Sequence, residues 1–235
     1  MVRLMKIATY NIWNDSKNIN ARLKLLLMEL KKLDADVIAL QEVKDESTFK
    51  MILKDTGFEY GYYFDGLAFL SNLDIKVYSK YSENNNYIFR VVYENTSITN
   101  VHFDWKQESI RLQALEEYFS MLEEYSLDNE ILLGDFNDTP EDKLHFELVI
   151  SDFSDIHQEY SHMVNELPLP TLDIQNNPRW RNVVTEELPS RLDWIMLNTV
   201  HEYSIEDVQL IGVEETNGMT PSDHYGVLAT FDIKE

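Results

Sequence analysis

Apolar residues follow two different periodicities near the start of the chain. Residues 4–10 and 36–41 are short apolar runs rich in β-forming side chains. Between these runs, apolar side chains recur at spacings of three and four, which is the pattern of one buried helix face: Ile19, Leu23, Leu26, Leu27 and Leu30. The order strand, helix, strand predicts an α/β fold.

The rest of the chain continues this mixed pattern. Short β-like runs divided by turn-forming residues predict antiparallel sheet between residues 58 and 101. Further helices are predicted at residues 107–125 and 141–150, and further strands at residues 131–133, 192–197, 208–213 and 227–231. The polar segment 152–189 has little periodicity, and we predict an irregular functional loop there.

No part of the sequence resembles a linker, a repeat or a low-complexity tract, so we expect one domain spanning residues 1–235. No stretch approaches the ~18 apolar residues of a transmembrane helix, and residues 1–8 are too short and too charged for a signal peptide. Together with the absence of cysteine, this favours a cytoplasmic protein without a transmembrane segment. The sequence gives no indication of oligomeric state.

The balance of charge narrows the range of functions. The chain has 20 Lys and Arg against 42 Asp and Glu, which gives a formal net charge of −22. Proteins that bind the nucleic-acid backbone by counterion release need a basic face. The composition therefore disfavours duplex nucleic acid as a partner, and we expect any phosphate handled by this chain to meet a metal ion.

Polar side chains stand where the predicted strands end, and such strand-end loops are where α/β folds build their sites. The residues at or after strand ends are Asn11, Glu42, His102, Asp104, Asp135 and Asn137. Asp193 interrupts an apolar run, and Asp223 and His224 precede the last strand. Because this set is rich in oxygen donors, it suits Mg²⁺ or Mn²⁺ better than zinc, which usually recruits more His or Cys.

Each of these residues also has a structural interpretation when taken alone. Asp135 could be a turn residue or a helix cap, Glu42 a solvated surface charge, and His102 a structural histidine. Asp193 is different, because a carboxylate inside the apolar run 192–197 costs free energy unless it is paired. A buried aspartate of this kind often orients a histidine.

In chain order, seven short motifs resemble those of a known superfamily. They are Thr9-Tyr-Asn-Ile-Trp13, Ile38-Ala-Leu-Gln-Glu-Val43, Gly66-Leu-Ala-Phe-Leu-Ser71, Asn100-Val-His-Phe-Asp104, Leu133-Gly-Asp-Phe-Asn137, Arg191-Leu-Asp-Trp-Ile195 and Ser222-Asp-His224. The chain resembles the endonuclease/exonuclease/phosphatase superfamily, which has the deoxyribonuclease I-like fold, over residues 5–232. It is closest in character to small bacterial metal-dependent phosphoesterases. The resemblance implies a four-layer α/β sandwich of two packed mixed β-sheets flanked by helices.

The resemblance also implies a role for each motif residue. Glu42 is expected to be the main ligand of Mg²⁺ or Mn²⁺, with Asn11 and Asp223 near the same ion. Asp135 is expected to orient or deprotonate the attacking water, and Asn137 to hold a phosphate oxygen.

The two histidines complete the implied site. His224, held by Asp193, is expected to contact the phosphate, and His102 to face a non-bridging oxygen or the leaving group. Phosphoester hydrolysis mainly requires positioning of the reactants and neutralisation of phosphate oxygens, which a divalent ion, two histidines and an amide can provide.

Three positions leave alternatives open. Trp13 stands where several abasic-site endonucleases of the superfamily carry an acidic residue, so that activity is less supported. Asp138 is either a further site carboxylate or a solvated cap of the helix that follows Pro140, and we favour the cap. Arg111 either forms a structural ion pair or contacts substrate.

The clearest basic cluster lies within the segment 177–181. Our hypothesis is that Arg179, Trp180 and Arg181 recognise a small phosphorylated substrate, with Trp180 stacking on a sugar or headgroup and an arginine binding a terminal phosphate. The alternative is a surface loop with Trp180 in the core.

The sequence is compatible with three functions. The first is a Mg²⁺-dependent phosphoesterase that hydrolyses a sugar phosphate or a phosphodiester headgroup. The second is a metal-dependent endonuclease or exonuclease. The third is a non-catalytic acidic mimic of nucleic acid, which would not need residues such as Asp135 and His224.

Overall fold

The computed structural model describes residues 4–181, 183, 185 and 188–234, which contain twelve strands and five α-helices. The first part of the chain forms β1 (Leu4–Asn11), α1 (Ile19–Lys32), β2 (Val37–Gln41), α2 (Glu46–Thr56), β3 (Tyr60–Phe64) and β4 (Leu67–Ser71). The middle forms β5 (Lys76–Glu83), β6 (Asn86–Tyr93), β7 (Thr96–His102), α3 (Glu108–Glu124), β8 (Asn129–Asp135) and α4 (Lys143–Ile150). The last part forms β9 (Ser154–Asp155), α5 (Ile156–Val164), a 3₁₀ turn (Pro178–Trp180), β10 (Asp193–Thr199), β11 (Glu202–Ile211) and β12 (Gly226–Lys234).

These strands form two six-stranded mixed sheets. The first sheet has the order β11-β12-β1-β2-β4-β3, and the second has the order β5-β6-β7-β8-β10-β9. Each sheet contains one parallel pair near its centre, β1 with β2 and β7 with β8, and its other described pairs are antiparallel. The carboxyl ends of a parallel pair lie at one edge of the sheet, so each sheet brings two strand ends together.

Three apolar clusters fill the spaces between four layers. The central cluster joins the facing sides of the two sheets, with Phe69 of the first sheet and Phe89 of the second at a centroid distance of 5.3 Å. A second cluster packs α1 and α2 on the first sheet, and a third packs α3 and α4 on the second sheet. Strands β2, β4 and β8 are buried at every position because both faces are covered. The arrangement confirms the four-layer sandwich.

Two helices depart from the predictions. The prediction of irregular structure for residues 152–189 is wrong over α5, where Asp155 caps the helix by accepting a hydrogen bond from the Gln158 backbone N–H. The pattern also missed α2, which Asp45 caps by accepting from the Thr48 N–H. Both helices are short, so each shows only a few apolar repeats along the sequence.

A buried amide network joins the two sheets below the strand ends. The Gln41 Nε2 donates to Thr9 Oγ1 at 3.0 Å and to Asn100 Oδ1 at 2.8 Å. The Asn100 Nδ2 in turn donates to the carbonyls of Leu40 and Ala68 in the first sheet. Because buried amides need partners, this network fixes how the two sheets sit against each other.

In the part of the chain that the structure describes, no helix combines the length and apolar character needed to cross a bilayer.

Candidate active site

The ends of three neighbouring strands in the second sheet place three candidate residues at one level. His102 at the end of β7 pairs in register with Asp135 at the end of β8, and Asp135 pairs with Asp193 at the start of β10. The His102 Nε2 lies 3.7 Å from the Asp135 Oδ2. Asp135 and Asp193 are both buried, so their charges are held in a region of weak screening.

Asn11 connects this row to the first sheet. Its Nδ2 donates to Asp135 Oδ2 at 2.8 Å and to Glu42 Oε1 at 3.2 Å. Glu42 follows β2 in a left-handed conformation with φ 57°, and its Oε2 accepts the Asn14 N–H at 2.7 Å. One amide thus holds two carboxylates, one contributed by each sheet. The Asn11 Oδ1 accepts the Trp13 N–H at 2.9 Å.

Asp193 and His224 form a buried hydrogen-bonded pair. The His224 Nδ1 and Asp193 Oδ2 are 2.9 Å apart, and the His224 Nε2 lies 4.0 Å from Asp135 Oδ2. Thr171 holds the backbone on both sides of this pair, because its Oγ1 accepts the Asp193 N–H and its carbonyl accepts the N–H of Tyr225, which follows His224. The predicted pairing of Asp193 with His224 is therefore present in the geometry.

The carboxylates around His224 determine its charge. Burial disfavours the charged imidazole, but Asp193, Asp135 and Asp223 outweigh burial and raise the pKa of His224 well above its ordinary value. These carboxylates therefore favour the charged form of the ring, whose Nε2 faces Asp135.

The donor set fits a hard divalent cation. Burial raises the pKa of Asp223, His224 opposes the shift, and the Glu42 carboxylate adds to it. A cation held by Glu42 and Asp223 would relieve the repulsion between the two carboxylates. Each Glu42 oxygen accepts one hydrogen bond and keeps a free acceptor direction, and carboxylate oxygens are the ligands that Mg²⁺ prefers.

Ligand atoms of Asp135, Asp193 and His224 also lie within 4.8 Å of one another. The His224 Nδ1 is engaged by Asp193, and the neighbouring carboxylates favour the charged ring, which does not ligate a metal. This trio is therefore better suited to proton and anion chemistry, whereas Glu42 and Asp223 are better suited to a cation.

Asn137 follows β8 in a left-handed conformation with φ 49°. Its backbone N–H donates to Asp135 Oδ1, and its Nδ2 donates to the Phe103 carbonyl, both at 2.9 Å. The amide has a second N–H, which is the donor that a phosphate oxygen requires.

The structure corrects the interpretation of Asp138 as a solvated cap. Asp138 is buried and pairs with Arg111, whose Nη2 donates to its Oδ1 at 2.7 Å. Burial raises the pKa of Asp138 to about 6, with Arg111 opposing the shift. Arg111 also donates to the Asp104 carbonyl. These contacts show Arg111 in a buried ion pair, which is the first of the two alternatives that the sequence left open.

The segment 177–181 is anchored beside Asp223. The Asn177 Nδ2 donates to the carbonyls of Ser222 and Asp223, each at 3.1 Å, and the Trp180 Nε1 donates to the Asp223 carbonyl at 3.3 Å. Trp180 is half-buried and belongs to none of the three core clusters. Arg181 is exposed and paired with Glu215.

Sequence reasoning did not assign a role to several residues that hold the site together. Ser222 donates from Oγ to the Asn11 carbonyl at 2.7 Å, and Thr171 supports Asp193. Arg22 is buried in α1 and donates to the carbonyls of Trp13 and Pro221. Ser222 could have been found from its motif, whereas Thr171 and Arg22 carry no local signal.

Comparison with known proteins defines the class of protein to which this chain belongs. The sequence profile of the Endonuclease/Exonuclease/phosphatase family matches residues 8–224, and the chain belongs to this family of phosphoester hydrolases. No curated protein sequence matches the chain.

Solved structures share the fold at low sequence identity. TDP2 from D. rerio, complexed with single strand DNA product, has a TM-score of 0.76 at 20% identity, covering 97% of this chain and 98% of its own. An endonuclease/exonuclease/phosphatase family protein from Bacteroides thetaiotaomicron has a TM-score of 0.71 at 14% identity, covering 100% of both chains. The beta toxin of Staphylococcus aureus has a TM-score of 0.70 at 15% identity, covering 96% of this chain and 99% of its own.

Proposed function

We propose that this protein is a Mg²⁺- or Mn²⁺-dependent phosphoesterase that hydrolyses a small phosphorylated substrate, such as a sugar phosphate or a phosphodiester headgroup. The observation that supports it most strongly is the meeting of Glu42 with Asp135, Asp193 and His224 across two sheets, held by the two hydrogen bonds of Asn11.

Glu42 and Asp223 would hold the cation, with Asn11 beside them. When bound, a divalent ion neutralises phosphate oxygens and polarises the phosphorus centre toward attack. Two asparagines orient the carboxylates: the Asn11 side chain donates to both Glu42 and Asp135, and the Asn14 backbone N–H donates to the second Glu42 oxygen.

Asp135 is proposed to accept a proton from the attacking water. The hydrogen bonds that it accepts from Asn11 and Asn137 hold its buried carboxylate in a fixed orientation for this role. His224, charged through Asp193, would donate Nε2–H to a phosphate oxygen. His102 lies on the other side of Asp135 and would face a non-bridging oxygen or the leaving group.

The substrate is proposed to be small because the net charge of −22 disfavours a long polyanion across the surface. Arg179, Trp180 and Arg181 are proposed to contact it, since Trp180 is hydrogen-bonded to the carbonyl of Asp223 at the edge of the site.

A second candidate is a nuclease or phosphodiesterase acting on short single strands. The observation that favours it is the fold shared with TDP2, which was solved with a single strand DNA product. The two candidates use the same residues for the same bond cleavage and differ in what surrounds the phosphate.

The test is a substrate panel measured with Mg²⁺, with Mn²⁺ and with a chelator. The panel contains phosphomonoesters, phosphodiesters, plasmid DNA, single-stranded DNA and RNA. Asp135→Asn is expected to lose turnover in every class that the wild type hydrolyses. Asp152→Asn is the matched control, because Asp152 is exposed and its left-handed φ of 65° is tolerated by asparagine.

Turnover that persists in Asp135→Asn would indicate a contaminating enzyme. If no class is hydrolysed with either metal, the hydrolase proposal fails, and the acidic mimic of nucleic acid becomes the better explanation of the charge.

A further inference from the structure

A cationic cavity of about 270 Å³ lies beside the candidate active site. Its described lining includes Trp13, Lys17, Arg22, Arg179, Arg181 and Ser222, and no carboxylate is among the described residues that line it. In a chain with 42 acidic and 20 basic residues, four cations around one cavity are a marked local reversal of charge.

Two guanidinium groups share one indole ring in this cavity. The Arg22 Cζ lies 4.1 Å, and the Arg179 Cζ 4.3 Å, from the centroid of the Trp13 ring. The two guanidinium charges repel each other, and the electron-rich indole offsets part of that repulsion. An anion bound in the cavity would offset more of it.

The two arginines differ in their free hydrogen-bond donors. Arg22 donates to the carbonyls of Ile12, Trp13, Asp15, Lys17 and Pro221, so its donors are used within the protein and it acts as a fixed charge. The Arg179 Nε is buried and has no hydrogen-bond partner among the described residues. Within the described residues, no carboxylate lies at ion-pair distance from Arg179.

Lys17 and Arg181 are the other two cations that line the cavity. Lys17 is exposed in the turn before α1, and an ammonium offers three donors to an incoming anion. Arg181 already pairs with Glu215, so Lys17 and Arg179 are the cations best placed to bind an additional group.

The cavity adjoins the catalytic residues through two of its own lining residues. Ser222 precedes Asp223 in the chain and donates to the Asn11 carbonyl. Trp13 donates its backbone N–H to the Asn11 side chain. A group bound in the cavity can therefore belong to the same small molecule as a phosphate bound near Asp135.

We propose that this cavity is a second anion subsite, in which Lys17 and Arg179 bind a phosphate of the substrate that is not hydrolysed. This inference rests on the proposed function and narrows the substrate class to small molecules that carry two phosphates. Such a molecule is either a sugar bisphosphate or a short 5′-phosphorylated nucleotide strand.

The first arm of the test measures binding without turnover. Inorganic pyrophosphate is titrated calorimetrically into the protein in EDTA, and Lys17→Met and Arg179→Met are each expected to raise Kd about tenfold, the effect of one charge-assisted hydrogen bond. Lys31→Met is the matched control, since Lys31 is an exposed lysine of α1 outside the cavity. Equal Kd values for wild type, Lys17→Met and Arg179→Met would overturn the subsite.

The second arm compares substrates that differ by one phosphate. Fructose 1,6-bisphosphate is compared with fructose 6-phosphate, and the dinucleotide pdTpdT with dTpdT. The ratio of kcat/KM for the doubly phosphorylated substrate to kcat/KM for the singly phosphorylated one is measured in each pair. Lys17→Met is expected to reduce this ratio about tenfold in one pair, and that pair shows whether the substrate is a sugar bisphosphate or a 5′-phosphorylated strand. An unchanged preference in both pairs would overturn the subsite. If neither pair is hydrolysed, the proposed hydrolysis fails at these substrates, and the pyrophosphate titration alone decides the subsite.

Discussion

The pair formed by Asp193 and His224 allows a quantitative prediction. Asp193→Asn keeps the size of the side chain but removes the charge that lies 2.9 Å from the His224 Nδ1. A buried charge-assisted hydrogen bond contributes about 1.5–3 kcal/mol. If the pair acts only in the transition state, kcat falls roughly 10- to 150-fold.

The same substitution should change the protonation of His224. Asp193 is the main group that keeps the pKa of His224 high against the effect of burial. Without that charge the imidazolium loses its proton at lower pH, so the alkaline limb of the kcat profile should move to lower pH.

The assay is a double-mutant cycle with Asp193→Asn, His224→Asn and the double variant, with kcat and the free energy of unfolding measured for each. Asp155→Asn provides a matched control, because the His145 Nε2 and Asp155 Oδ2 form another buried pair at 2.9 Å outside the candidate site. We expect Asp155→Asn to lower stability and to leave kcat nearly unchanged. The reasoning is refuted if Asp193→Asn lowers kcat no more than Asp155→Asn does, or if the effects on kcat in the cycle are additive.

Three further predictions concern stability and metal binding. Burial lowers the pKa of His157 to about 4 in the folded protein, with Arg191 adding to the shift. As the pH falls, His157 is therefore protonated in the unfolded state before it is protonated in the folded state. The free energy of unfolding should fall by up to about 3 kcal/mol between pH ~6.5 and ~4 in urea titrations, and His157→Gln should flatten that slope. Gly134→Ala should cost more than about 3 kcal/mol in thermal unfolding, because a Cβ at φ 147° would lie 2.0 Å from the Val101 carbonyl oxygen; a soluble variant with wild-type Tm would contradict this. Glu42→Gln should weaken Mg²⁺ binding at least tenfold in calorimetry, and an unchanged affinity would move the cation site elsewhere.

The order of strand-end residues was predictable from the sequence because each follows a run of buried apolar residues. Asn11, Glu42 and Asp135 stand at such ends, and the sheet topology then brings them to one edge. The motifs in which they lie also carried the family resemblance, which the profile match confirms.

The supporting contacts could not be predicted because they join distant segments. Arg22 reaches the Pro221 carbonyl across 199 positions, and neither neighbourhood indicates the other. Asp138 has the sequence context of a solvated cap, and only the packing of α3 brings Arg111 onto it and buries it. Local patterns report which face of an element is apolar, whereas burial of a polar group depends on what tertiary packing places against it.

The two hydrogen bonds of Asn11 have a consequence for how activity should depend on folding. Because Asn11 links Glu42 in one sheet to Asp135 in the other, each sheet alone carries only part of the proposed catalytic site. A partly unfolded state in which the sheets have separated keeps its individual residues but loses their alignment. For the proposed phosphoesterase, the hydrolytic rate would therefore depend on the docking of the two sheets, and partial opening of the sandwich would abolish catalysis before either sheet unfolds.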